Sequence, residues 1–246
     1  MSHISQDAHI QPAGLPAGYK AGLGLYSALW YAALPAAMLS KRLRSGLGPR
    51  LRSRLEPRET DVWIQAASAG ECTLTTTLLQ AWPREAPLTC LATTNTPQGM
   101  GVLRTFSPPQ HMLFTPEYAP LDTAARVRKA LAALRPRVVV LLETELWPNI
   151  LAACARQEVP VILLNARMTP KSLSWYSRFR DLAQRIRPRR ILAVDREQAD
   201  RYAYIFGSLN VQTMRNIKFD RWAGMQEPLP YVHNPLSGVF KPQARL

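Results

Sequence analysis

Cysteine is scarce: Cys72, Cys90 and Cys154 are the only three in 246 residues, and no two lie close together. That excludes a disulfide framework and any C-x-x-C metal knuckle, and it suits a reducing compartment. Histidine is equally thin, four in all with two in the first nine residues. That leaves no ligand cluster for zinc, and no metal is expected. Glycine occurs twelve times. The first apolar run is followed by S-A-G-E with a single glycine where a dinucleotide site needs G-x-G-x-x-G, and no P-loop occurs, so neither nucleotide cradle is present. Acidic residues are also short, 17 against 31 Lys+Arg, for a net charge of +14. A 47% hydrophobic, 20% charged chain is nevertheless not a disordered one. Such an excess of positive charge points to a polyanionic partner: nucleic acid, a membrane surface or a phosphorylated substrate.

The charge is concentrated. Between Lys41 and Arg58, seven basic residues face Glu56 alone, a net +6; between Arg178 and Arg190, six arginines face Asp181, a net +5. Ahead of the first cluster, residues 21–39 carry no charge over 19 positions and include Tyr26, Trp30 and Tyr31. Three membrane readings compete for this run, a signal peptide, a spanning helix and a surface helix, against a buried core helix. A signal peptide fits poorly, because only Lys20 precedes the run and no cleavage site follows it. Basic residues after the run place the following domain on the cytoplasmic side and attract anionic head groups. Residues 1–20 are expected to be disordered, 21–58 to form an anchor helix with its basic flank, and 221–246, with four prolines, to be a tail or linker. Aromatic residues join a basic patch only at Trp175, Tyr176 and Phe179, which disfavours nucleic acid as the partner.

Over residues 60–220, apolar runs alternate with amphipathic stretches. Strands are expected at 62–67, 88–93, 111–114, 137–142, 160–165 and 190–194. Helices are expected near 71–82, 97–106, 121–134, 148–157, 171–187 and 196–206. A run such as VVVLL, apolar at every position, suits a strand buried on both faces, hence a parallel sheet sandwiched by helices. The fold class is α/β, a single Rossmann-like doubly wound sheet.

In such sheets a ligand sits beyond the carboxyl ends of the strands, where this sequence gathers its unusual polar residues. Ser68-Ala69-Gly70-Glu71 follows the first strand, and Thr93-Thr94-Asn95-Thr96 the second. Glu143-Thr144-Glu145-Leu146-Trp147-Pro148-Asn149 follows the fourth, and Asn165-Ala166-Arg167 the fifth. Glu71 can act as a general base or simply complement a helix dipole. Glu143 and Glu145, two apart, can raise one another's pKa, or one can cap the helix beginning near Pro148 while the other pairs with an arginine. The Thr-rich loop can offer hydroxyls and N–H groups to an anion, or cap a helix. Arg167 can hold a carboxylate or phosphate, or pair with Glu143 or Glu145.

The motifs A-S-A-G-E (67–71), A-T-T-N-T-P-Q-G (92–99), E-T-E-L-W-P-N (143–149), N-A-R-M-T-P-K-S (165–172) and N-I-K-F-D (216–220) resemble, in order and spacing, those of the Kdo (3-deoxy-D-manno-octulosonic acid) transferases. E-T-E-L-W-P-N is the most specific of them. The run L-Y-S-A-L-W-Y-A-A-L-P with its basic flank is similar to the family's membrane segment. Several positions depart from the family pattern, among them A-S-A-G-E for V-S-V-G-E and Arg215 for a turn glycine. The resemblance implies the N-terminal half of a GT-B glycosyltransferase at the cytoplasmic face of the bacterial inner membrane. Such an enzyme transfers Kdo from CMP-Kdo to a lipid A precursor with inversion, without a metal or any other cofactor. It implies Glu71 as general base, and Ser68, Gly70, Thr94, Asn95, Thr96, Glu143, Glu145, Asn149 and Arg167 as lining of the substrate cleft. Lys218 is then expected near the interdomain crossover. The second Rossmann-like domain of that fold has no counterpart in 246 residues, so transfer is expected to need a separate donor-domain polypeptide. The alternative is a non-catalytic scaffold that holds lipid A precursors.

Overall fold

The computed structural model describes residues 15–53, 55–83 and 87–218. Most of the expected disordered N-terminus and the whole expected tail, 221–246, lie outside them. The centre is a seven-stranded, wholly parallel sheet in the order β3-β2-β1-β4-β5-β6-β7. Its strands are β1 (Val62–Ala66), β2 (Leu88–Thr94), β3 (Met112–Tyr118), β4 (Val138–Leu142), β5 (Val161–Ala166), β6 (Arg190–Ala193) and β7 (Val211–Thr213). The helices are α1 (Ala17–Leu39), α2 (Lys41–Arg52), α3 (Ala69–Gln80), α4 (Pro97–Arg104), α5 (Ala124–Leu134), α6 (Pro148–Arg156), α7 (Pro170–Ser177), α8 (Arg180–Arg185) and α9 (Arg196–Phe206).

Strand β4 shows why the sheet must be sandwiched. All five of its residues are buried, and they feed two cores in alternation. Val139 and Leu141 pack with Trp63, α5, α6 and α9; Val138, Val140 and Leu142 pack with Ile64, α3 and Leu103 of α4. Each such side chain contributes roughly 1.5–3 kcal/mol on burial. Helices thus cover both faces, and the doubly wound α/β expectation holds.

Local rules start the helices. Ser68 and Glu71 form a reciprocal capping box at α3. Thr96 accepts from Gly99 N–H at α4, with Pro97 as its first residue. Asp195 caps α9. Several differences from expectation have physical reasons. The third strand runs on through Pro116 to Tyr118, because β3 pairs only with β2 and an edge strand tolerates proline. The 171–187 stretch is two helices, broken at Phe179, where ψ turns to 25°. Strand β7 and helix α2 were not expected.

Helix α1 starts at Ala17, inside the stretch expected to be disordered, and has no fully buried residue. Tyr19, Leu23, Tyr26, Ser27, Trp30 and Leu34 form a half-buried stripe at helical spacing, with Leu25 and Leu29 on the outside. The stripe is fastened by polar contacts. Tyr19 OH donates to Asp181, Ser27 Oγ accepts from Ala124 N–H at 3.2 Å, and Tyr31 OH lies 3.2 Å from Thr123 Oγ1. Trp30 packs on Trp147 with ring centroids 6.2 Å apart. Helix α2 crosses to the carboxyl rim of the sheet, where a Cβ on Gly46 would stand 2.8 Å from the Asn95 carbonyl oxygen. Its Arg50, counted in the sequence among the head-group charges, is instead buried. It donates to the carbonyls of Ala119 and Pro120, each at 3.2 Å, and lies over Trp30.

Candidate functional site

The chain leaves β1 for α3 on one face of the sheet and β4 for α6 on the other. Since β1 and β4 are neighbours, their carboxyl ends open the crevice at a topological switch point. Glu71 enters it from α3, and Glu143 and Glu145 from the loop after β4.

Glu71 does what a first-turn carboxylate does for a helix: its Oε2 accepts from Ser68 N–H at 2.7 Å, while Ser68 Oγ accepts from Glu71 N–H at 3.3 Å. The structural role anticipated for it is therefore real. It is also buried, and burial raises its pKa against that hydrogen bond, with the Glu143 charge adding in the same direction. A raised pKa makes a carboxylate a stronger proton acceptor than an ordinary surface glutamate.

Glu145 is the most perturbed carboxylate of the crevice. Burial pushes its pKa up to about 7, the Glu71 charge adds to the rise, and hydrogen bonds from Trp147 and Gln65 oppose it. The Gln65 amide is held from below, since Thr93 Oγ1 donates to Gln65 Oε1 at 2.6 Å and Trp63 Nε1 donates to Thr93 Oγ1 at 2.8 Å. Gln65 Nε2 then donates to Asn95 Oδ1 at 3.3 Å, which links the Thr-rich loop to the same network. Arg50 supplies the nearby positive charge, its own pKa lowered to about 10 by burial.

Glu143 faces a cation, but not the expected one. Its Oε1 lies 2.8 Å from Lys218 Nζ, whereas Arg167 stands exposed and outside ion pairs among the described residues. Lys218 is brought to the rim because Asn165 Oδ1 accepts from Ile217 N–H at 3.1 Å, while Asn165 Nδ2 donates to Glu143 Oε1 at 3.4 Å. Both Glu143 and Asn165 have left-handed backbones, φ 53° and 54°. Such positions cost roughly 1–3 kcal/mol each and need surrounding support. Tyr202 OH provides it, reaching the carbonyls of Glu143 (3.2 Å) and Arg167 (2.9 Å).

The helix after E-T-E-L-W is capped by neither glutamate. Asp122, from the turn before α5, accepts from the N–H groups of Asn149 (3.1 Å) and Ile150 (3.0 Å). Burial raises its pKa to about 6 against those two bonds. Asn149 is buried and turned inward, its Nδ2 donating to Asp122 O at 2.6 Å and to Ser27 Oγ at 3.2 Å. Thr94 is also turned away, its hydroxyl donating to Ala67 O and accepting from Cys72 Sγ. Thr96 serves as a cap. Among the residues picked from the sequence, Glu71, Glu143 and Glu145 form the acidic crevice, and Ser68, Asn95 and Lys218 border it. Gly70 lies exposed on the first turn of α3. Gln65, Asp122 and Tyr202 were not picked, and Asn165 was named only as a member of the polar cluster after the fifth strand, without a role in the site. Of the first three, Asp122 alone stood near a recognisable signal, L-D-T ahead of a helical stretch. No group of three or more His, Cys, Asp or Glu side chains among the described residues is arranged to hold a metal ion.

The family described as 3-deoxy-D-manno-octulosonic-acid transferase (Kdo transferase) matches residues 40–221, from the start of α2 past β7. The chain belongs to that family. Among similar Kdo transferases is that of Haemophilus influenzae, 28% identical over 211 residues, which cover 79% of this chain and 48% of the relative. A probable mitochondrial Kdo transferase of Arabidopsis thaliana is 30% identical over 164 residues, 62% of this chain and 36% of the relative. That of Bordetella pertussis is 34% identical over 118 residues, 48% of this chain and 28% of the relative. The chain thus spans about half the length, or less, of these curated relatives. Every residue of the acidic crevice falls within the matched stretch.

Proposed function

We propose that this chain is the acceptor-side half of a Kdo transferase, working on a lipid A precursor at the cytoplasmic face of a bacterial inner membrane with CMP-Kdo as donor. The observation that carries the reading is Glu71, a buried carboxylate at the switch-point crevice with a raised pKa. A sugar hydroxyl is a poor nucleophile until a positioned base shares its proton. In the proposed step the acceptor hydroxyl gives its proton to Glu71, and its oxygen bonds to the anomeric carbon of Kdo. The bond to the CMP phosphate breaks, and CMP leaves. Donor binding is assigned to a second Rossmann-like unit that the residues 40–221 matched to the family do not include. The acceptor's anionic groups suit a rim that carries the exposed Arg167.

Helix α1 is proposed to lie in the membrane surface rather than to cross it. It is 23 residues long, and an 18-residue stretch within it has mean hydropathy 1.3. Support comes from its fastenings, which bind Tyr19, Ser27 and Tyr31 along one flank to the domain. A helix held along that length cannot be surrounded by lipid, yet its outer Leu25 and Leu29 remain free to dip into the interface.

The test is radiolabelled transfer from CMP-Kdo to lipid IVA by the purified chain, alone and with a donor-domain polypeptide. Glu71→Gln is expected to lower transfer by about 10²–10⁴-fold, with the melting temperature little changed because Gln still serves a capping box. Transfer that survives Glu71→Gln overturns the base assignment. Lipid IVA binding without transfer in any pairing points instead to the precursor-holding scaffold.

A further inference from the structure

Helices α7 and α8 meet at Arg178 and Phe179 and expose a surface that the proposed reaction leaves unused. Trp175 is 56% exposed and Phe179 48%, and their rings meet edge to face at 5.3 Å. Arginines surround them. Arg178 lies 5.8 Å from the Trp175 ring centre, and Arg180 lies 4.8 Å from that of Tyr204 on α9. Arg185 lies 5.7 Å from that of Tyr19 on α1. The one acid in 178–190, Asp181, is already engaged by Tyr19 and by Arg185 at 3.2 Å. Arg178 and Arg180 therefore have no other acid to share within their own segment.

Exposed aromatic rings alone suit a protein partner, and exposed arginines alone suit nucleic acid. Here α8 adjoins α1 through Asp181 and Arg185 at Tyr19, and α1 carries Leu25 and Leu29, 63% and 59% exposed. Amphipathic rings at head-group depth, arginines paired with anionic head groups and an adjacent aliphatic row make up the composition of a membrane-interface surface. We propose that the α7–α8 face is a second membrane contact, in which Trp175 and Phe179 enter the interface of an anionic bilayer while Arg178 and Arg180 bind its head groups. This rests on the membrane-surface reading of α1 and adds an orientation to it. Helix α7 begins three residues after Arg167, so the same segment joins the carboxyl rim of the sheet to this face.

The experiment is co-sedimentation of the full chain with vesicles of pure phosphatidylcholine and of phosphatidylcholine with one quarter phosphatidylglycerol. Arg178→Ala with Arg180→Ala is expected to weaken binding to the anionic vesicles about thirtyfold, at roughly a factor of five for each basic residue at the surface, and to spare the neutral ones. Trp175→Ala with Phe179→Ala is expected to weaken both by about tenfold or more. Arg104→Ala with Arg128→Ala removes the same charge from exposed sites on α4 and α5 and is expected to change binding by less than about threefold. All of these side chains are exposed, so unchanged melting temperatures should accompany the effects. A wild-type chain that sediments with neither vesicle overturns the membrane reading of α1 and this inference together. A wild-type chain that binds, with both α7–α8 pairs binding equally well, overturns this inference and leaves α1 as the anchor. Loss of tRNA binding in the arginine pair with vesicle binding intact also overturns it and assigns the face to nucleic acid.

Discussion

Replacing Glu145 with glutamine should make the protein more stable, and by an amount that depends on pH. Folding raises the pKa of Glu145 from an ordinary 4.5 to about 7, chiefly by burial and next by the neighbouring Glu71 charge. Between those two values the folded chain holds a proton that the unfolded chain has released, so stability falls as pH rises through the window and levels off above it. At 1.36 kcal/mol per pH unit the full loss is about 3 kcal/mol. The amide of Glu145→Gln is neutral at every pH and can still accept from Trp147 Nε1, so the variant escapes the loss. Thermal melts of the two proteins from pH 4.5 to 8.5 should coincide at the acid end and separate steadily. By pH 8 the variant should melt roughly 6–12 °C higher, at 2–4 °C per kcal/mol for a chain of this size. Asp122 titrates in an overlapping window, with its pKa raised to about 6, but it is present in both proteins, so the difference curve isolates Glu145. Parallel curves, or a variant less stable at pH 8, would refute the claim that burial of Glu145 is costly.

Other substitutions probe the supports of the crevice. Gly99→Ala places a Cβ 2.2 Å from Thr94 Oγ1 and 2.9 Å from Cys72 Sγ, and should cost about 1–3 kcal/mol in chemical denaturation, with part recovered by adding Thr94→Ala. Arg50→Lys supplies one compact charge where two carbonyls are served by a fork, and should cost about 1–3 kcal/mol by the same assay. Asp122→Ala should cost about 1–2 kcal/mol and speed amide exchange at Asn149 and Ile150, whose N–H groups lose their acceptor. Lys218→Met should cost less than about 1 kcal/mol, because the ion pair with Glu143 is half exposed and screened; a loss above about 2 kcal/mol would contradict that.

The five central strands could be read from the sequence because burial on both faces demands unbroken apolar runs, and V-V-V-L-L permits little else. The clusters at the strand ends were legible for the same reason: polar residues abruptly terminate such runs. Strand β7 left no such mark, since it lies at the sheet edge with Gln212 and Thr213 exposed. Helix α2 was hidden by Gly46, Gly48 and Pro49, which lower helix propensity. Gly46 is there for a tertiary reason, the close approach to Asn95. Within the site, residue identity was legible but direction was not. Thr94, the last residue of β2, and Asn149, in the first turn of α6, are polar residues near strand ends like Asn95, yet both turn inward to satisfy buried partners. Arg50 is chemically indistinguishable from its basic neighbours and is set apart only by the carbonyls of residues about 70 positions away.

The cap on α6 bears on how far its motif can travel. E-T-E-L-W-P-N does not contain the group that starts its own helix, because the anchoring carboxylate is Asp122, 27 residues upstream, with Ser27 of α1 on the far side of Asn149. A heptapeptide moved into another scaffold would carry its two glutamates but not their aim. A faithful transplant has to bring the 121–123 turn and a helix supplying that serine hydroxyl, so the portable unit is a three-piece assembly scattered along the chain rather than a contiguous signature.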